Sequence, residues 1–260
     1  MIKTVYVSDV GRVRSVNEDS SWVARLEQGY TLAIVADGMG GHQAGDTASR
    51  LTVETIVQDL HNLPSGLSVE TCGEKLKQAI LHANDVVYRE ASEHEEYHNM
   101  GTTVVAVLIG DREGMIGHIG DSRVYKFSRG EMTQLTEDHS LVNELLKTKQ
   151  ISEQEANVHP HRNVVTRALG TDPQVVVDLY PVILEQGEIL LLCSDGLSNY
   201  VTLEQMTQTL GSEALELNDR ADRLLRLALL AGGDDNITVA LLEHCGEEGQ
   251  AQRSGIHDRT

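Results

Sequence analysis

Aromatic residues make up only 3% of this 260-residue chain, with a single tryptophan, Trp22, and a single phenylalanine, Phe127. Its core must therefore be packed from leucine, valine, isoleucine and alanine, and platforms for stacking bases are lacking. Cysteine is scarce as well. The three cysteines, Cys72, Cys193 and Cys245, lie far apart and form no CxxC pair, which excludes a disulfide framework and a zinc knuckle. Cys193 sits inside an apolar run and reads as a small buried hydrophobe. Basic residues number 21 against 40 acidic ones, a net charge of -19. Such a surface repels a phosphate backbone and an anionic membrane, so nucleic acid is a poor partner. Binding phosphate would require cations or a local arginine to reverse the sign. No apolar stretch is long enough to span a bilayer, and "MIKTVYVSDVG" lacks the apolar core of a signal peptide. A cytoplasmic protein is the expectation.

What is present is a regular alternation of structural signals. Thr4 to Val7, Ser20 to Ala24 and Leu32 to Ala36 read as strands. Val53, Ile56, Val57 and Leu60 then fall on one helical face, and Leu76, Ala79, Ile80, Ala83 and Val87 form a second stripe within a helix over about 70–93. Next come β-rich segments, "GTTVVAVLIG", "GMIGHIGDSRVYKFSRGEMTQL" and "QVVVDLYPVIL", with "FSRGEM" as a hairpin turn. Between them, Ser140 to Gln150 reads as a helix and "SEQE" as a capping box. "TLEQ" and Arg220 to Leu230 predict two more helices and "NITVALLEH" a last strand. Helices that come in pairs and strands that come in hairpin runs predict an α+β layered fold with mainly antiparallel sheets. The expected organisation is one domain over 1–245 followed by a polar tail, 246–260.

Aspartates recur where apolar runs release the chain: Asp37 after "LAIVA", Asp195 after "LLLCS", Asp121 after "GHIG" and Asp235 before "NITVALL", with Glu18 and Asp19 ahead of the strand at Ser20. Taken singly, Asp-Gly marks a turn, because Asp bonds its own backbone and Gly tolerates positive φ. Together, these carboxylates would converge at one end of a sandwich and repel one another unless neutralised. Oxygen-only donors select hard divalent cations, Mg²⁺ or Mn²⁺. "DGMGG" is neither a P-loop nor a dinucleotide fingerprint, but its glycines let backbone approach an ion or a phosphate, and Gly38 has a carbonyl to lend. Arg14 suits bidentate capture of phosphoryl oxygens. His42 is either a general acid for a leaving alkoxide or a purely structural histidine; spacing leaves both open. An oxygen-ligand centre by itself fits a phosphomonoesterase, a phosphodiesterase or nuclease, or a module that binds metal without chemistry. The charge of -19 weighs against the nuclease.

In their order, "GRVRSVNED", "VADGMGGHQAGDTAS", "MGTTVVAVLI", "HIGDSRVY", "LTEDHSLVNEL", "NVVTRALG", "LLCSDGLSN" and "GGDDNITV" resemble the metal-dependent phosphatases of the protein phosphatase 2C family in its compact bacterial form, from about Val5 to Leu242. The resemblance implies an α-β-β-α sandwich with a binuclear centre of Mn²⁺ or Mg²⁺ at one end and a possible third ion. It gives Asp37 as the bridging ligand, Gly38 as a carbonyl ligand, Asp195 and Asp235 at the first metal, and Asp19 with Glu18 at the second. Asp121 and Asp195 would form the third site, and Asn236 would support the ligands. Arg14 would clamp phosphate and His42 would act as general acid, while the segment from about Ser140 to Asn163 would be a flap beside the site. The implied activity is hydrolysis of phosphoserine and phosphothreonine by a metal-activated water. The implied partners are phosphoprotein substrates that include a bacterial Ser/Thr kinase, with the enzyme acting as a monomer.

Overall fold

The computed structural model describes residues 1–40 and 44–246. Two antiparallel sheets lie face to face, their strands numbered along the chain. The first sheet orders β1 (Ile2–Asp9), β11 (Ile237–His244), β10 (Ile189–Cys193), β7 (Arg123–Ser128) and β8 (Glu131–Gln134). The second orders β2 (Asp19–Arg25), β3 (Thr31–Met39), β5 (Val104–Ile109), β6 (Glu113–Ile119) and β9 (Asp178–Ile183), and β4 (Gly101–Thr102) pairs with the end of β3. Helices α1 (Ala44–Leu60) and α2 (Val69–Glu93) cover the outer face of the second sheet. Between β8 and β9 lie α3 (Leu141–Lys147) and α4 (Glu153–Asn157). Helices α5 (Asp195–Ser198), α6 (Leu203–Leu210) and α7 (Leu217–Ala231) cover the first sheet. This is the expected α+β sandwich of antiparallel sheets flanked by helices.

The layering explains why the central strands read as unbroken apolar runs. Along β3, Leu32, Ile34 and Ala36 face α1 and α2, while Ala33 and Val35 face the other sheet. Along β10, Ile189, Leu191 and Cys193 face the helices, and Leu190 and Leu192 face inward. The period-2 alternation is intact, but both faces are buried, so no polar residue interrupts it. Cys193 is wholly buried, as its setting implied, and burial pushes its thiol up to about 12.

Local signals are largely honoured. Ser152 and Glu155 form the capping box of α4, and Thr202 and Gln205 form another on α6. The β7–β8 turn places Arg129 and Gly130 both at positive φ, the backbone that a tight hairpin requires. The helix read over Ser140 to Gln150 is shorter: Ser140 caps α3, which ends at Lys147, and Lys149 takes a left-handed φ of 57° that no helix can carry. The tail lies outside the described residues from residue 247 onward.

Candidate active site

Asp37 does not follow its strand; it lies within β3, two residues before the end. It stands in register with Asp19 on β2. Like charges directly opposite on neighbouring strands destabilise a sheet, so this pairing needs a compensating role. The backbone around Asp37 is locked in place. Its N–H donates to Thr103 Oγ1 at 3.0 Å, and its carbonyl accepts from Thr103 N–H at 2.9 Å and from Thr102 Oγ1 at 2.8 Å. Gly38 donates to the Glu18 carbonyl at 3.1 Å. A Cβ at Gly38 would collide with the carbonyl of Gly45 at the start of α1, so the glycine is there for close backbone approach and not for a turn.

From the other sheet comes Asp195, the first residue of α5. Asn199 Nδ2 donates to its Oδ2 at 3.0 Å. Ser194 reaches across the sandwich: its hydroxyl donates to Asp19 Oδ2 at 2.7 Å while accepting from Thr238 N–H at 3.0 Å. Asp121 is buried in the loop between β6 and β7. Asp235, just before β11, accepts from Arg14 Nη2 at 2.9 Å. Asn236 holds the loop that carries Arg14. Its Nδ2 donates to the carbonyls of Val10 and Val16 at 2.9 and 3.0 Å, and its Oδ1 accepts from Glu18 N–H at 2.8 Å.

One cleft of about 270 Å³ gathers Arg14, Glu18, Asp37, Gly38, Asp121, Asp195, Asp235 and Asn236. Asp19 lies behind it, bonded to Ser194. Residues 140–163 contribute Asn163 to the wall, and a second cavity of about 390 Å³ runs between that segment and Asp121, Asp138 and Asp195. His42 lies outside the described residues. Sequence reasoning did not single out Thr103 or Ser194, although Ser194 stands next to a chosen aspartate.

The electrostatics are those of uncompensated anions. Burial foremost, with repulsion from neighbouring carboxylates, pushes Asp195 up to about 6, Asp19 to about 7 and Asp121 to about 8. Burial and four surrounding aspartates hold Asp37 well above the usual carboxylate range. Glu18 Oε1 and Asp19 Oδ1 are buried without any hydrogen-bond partner, a costly state that a cation would relieve. Among the described residues no three His, Cys, Asp or Glu side chains close tightly enough to cage an ion unaided. The acidic side chains lining the cleft, with the Gly38 carbonyl, offer oxygen donors throughout. That donor set fits Mg²⁺ or Mn²⁺.

Residues 11–229 match the family described as protein phosphatase 2C. The serine/threonine phosphatase Stp of Listeria innocua is 40% identical over 236 residues, covering 91% of this chain and 93% of that protein. The crystal structure of the Mycobacterium tuberculosis serine/threonine phosphatase PstP superposes with a TM-score of 0.86 at 34% identity, covering 94% of this chain and 99% of that one. The PstP catalytic domain in complex with two manganese ions gives 0.82 at 34% identity, covering 93% and 97%. With its ring of aspartates at one end of two stacked sheets, the chain belongs to the protein phosphatase 2C family.

Proposed function

We propose that this chain removes phosphate from phosphoserine and phosphothreonine in proteins, with water as the nucleophile and divalent ions as cofactor. The observation that carries the reading is the convergence of five acidic side chains and Arg14 on one cleft. Asp37 would bridge two ions, with Asp195 and Asp235 at one, Asp19 and Glu18 at the other, Gly38 lending its carbonyl, and Asp121 with Asp195 at a third. Ions held there, Mn²⁺ or Mg²⁺, would polarise the phosphoryl oxygens and bring the pKa of a bound water towards about 7.

The protein's own part is positioning. Arg14 is half exposed at the cleft and pinned by Asp235, so its guanidinium is aimed while part of it stays free to pair with equatorial phosphoryl oxygens. Ser194, at the end of the first sheet, fixes the Asp19 carboxylate and Thr103 fixes the Asp37 backbone, both aspartates being on the second sheet, so the ligand frame is as rigid as the sandwich. His42, in "VADGMGGHQAG", is proposed to protonate the departing serine or threonine oxygen. Segment 140–163 walls the cleft and would influence which phosphoproteins fit. We further propose that the enzyme acts as a cytoplasmic monomer and opposes a Ser/Thr kinase. Among the described residues no helix is long and apolar enough to cross a membrane.

The test is release of phosphate from a phosphothreonine peptide with Mn²⁺, with Mg²⁺ and with EDTA. Turnover that needs metal and stops with chelator is expected. No turnover with any metal on folded protein, or faster hydrolysis of a bis-aryl phosphodiester than of a monoester, would overturn the reading.

A further inference from the structure

Asp121 is gripped on both sides by one short segment. Before it, Gly120 takes a φ of +113°, a conformation closed to other residues, and a Cβ there would run into Thr103. Gly120 N–H donates to His139 Nδ1 at 3.0 Å, and Gly120 carbonyl accepts from His139 N–H at 2.8 Å. After it, Arg123 forks onto Asp138 with bonds of 2.6 to 3.0 Å.

These bonds settle the state of the His139 ring. A backbone N–H can only donate, so Nδ1 must be bare; the ring hydrogen is on Nε2, where it donates to Asp178 Oδ2 at 2.9 Å. Arg167, 3.3 Å from Nε2, therefore pairs with Asp178 Oδ1, at 3.5 Å, and not with the ring. Desolvation, the leading influence, keeps His139 below the ordinary histidine value, in keeping with a neutral ring. His118, fully buried, packs against it with ring centroids 4.8 Å apart.

The same residue closes the base of the wall segment. His139 carbonyl accepts from Thr166 N–H at 2.8 Å, Leu141 N–H donates to Val164 carbonyl at 2.9 Å, and Ser140 bridges Val165. Segment 140–163 thus leaves and returns through a stem whose first residue is bonded to Gly120.

We infer that His139 is a positioning residue: through Gly120 it holds the Asp121 carboxylate at its ion site and ties the stem of segment 140–163 to that carboxylate. This rests on the reading of Asp121 as a ligand. The two roles of the imidazole are separable, because an asparagine amide oxygen can stand in for Nδ1, whereas the longer glutamine reaches Asp178 and leaves Gly120 N–H without an acceptor.

Calorimetric titration of metal-stripped protein with Mn²⁺ reads the sites without turnover. Asp121→Asn is the reference and should lose the weakest binding step, that of the third ion, which has only the Asp121 and Asp195 carboxylates to hold it. His139→Gln should weaken that same step, on the order of ten- to a hundredfold, and spare the tighter ones; His139→Asn should bind as the wild type does. An unchanged isotherm for His139→Gln beside a changed one for Asp121→Asn would overturn the inference alone, as would equal losses in both His139 variants. A wild-type isotherm for Asp121→Asn would overturn the ligand reading and the inference with it. Should His139→Gln fail to fold, nitrogen NMR of the wild-type ring decides: hydrogen on Nε2 is expected, and hydrogen on Nδ1 would contradict the clasp.

Discussion

Asp37-Gly38 and Asp195-Gly196 are the same dipeptide at the same end of the sandwich, one on each sheet, yet they are built differently. Asp37 lies inside β3, opposite Asp19. Asp195 opens α5, with Asn199 bonded to its carboxylate. What they share is the reason for the glycine. A Cβ at Gly38 would strike the Gly45 carbonyl, and one at Gly196 the Asn236 carbonyl; neither residue has positive φ. Both dipeptides look like turns and neither is one. Each is a place where a second backbone segment must pass close behind a carboxylate. The difference lies in their surroundings: burial first, and then four other aspartates, hold Asp37 well above the usual range, whereas Asp195, raised by burial to about 6, also has Arg123 and Arg14 near it to favour the charged form.

If Asp37 is the more central of the pair, its replacement should cost more. Asp37→Asn and Asp195→Asn should each cut metal-dependent turnover far beyond the ten- to hundredfold typical of groups behind the ligands, with Asp37→Asn the worse. A milder effect at Asp37 in steady-state phosphate release would break the ranking. Arg14→Ala, which leaves both dipeptides untouched, should lower turnover by about 10²- to 10³-fold; a rate near wild type would remove the clamp. Gly38→Ala and Gly196→Ala should both destabilise, by about 1–3 kcal/mol or more as overpacking does, in urea unfolding. Were either alanine accommodated without loss, the close approach behind that carboxylate would be refuted.

The smallest effect concerns pH. Asp195, Asp19 and Asp121, at about 6, 7 and 8, bind protons more tightly folded than unfolded, where aspartate titrates near about 3.9. Their contribution is whole below that unfolded value and is lost as pH rises through 6 to 8. Chelated protein should therefore show a falling thermal midpoint across that window, and Mn²⁺ should abolish the fall by replacing the protons. A midpoint that rises with pH in EDTA would contradict the shifts.

The aspartates were legible because each interrupts an apolar run, a local pattern that any reader of the chain can see. The sandwich was legible for a similar reason, since paired helical stripes and hairpin runs are local too. What stayed hidden is what joins distant segments. Ser194 finds Asp19 across 175 residues, and His139 finds Gly120 through its own N–H and its Nδ1, a pairing that leaves no trace in the spacing of the sequence. "LTEDHS" and "HIGDSRVY" stand out as blocks, but nothing in their spacing says that Arg123 forks onto Asp138. The placement of Asp37 after its strand was corrected by β4, whose pairing with Gly38 and Met39 extends β3 past the carboxylate.

The central claim is that this ring of carboxylates holds divalent ions, and anomalous diffraction from crystals soaked in Mn²⁺ tests it most directly. The account predicts two strong manganese peaks inside the cleft, both within ligand distance of Asp37, one beside Asp195 and Asp235 and the other beside Gly38. Manganese peaks only outside the cleft, or none, in crystals of folded protein would contradict it.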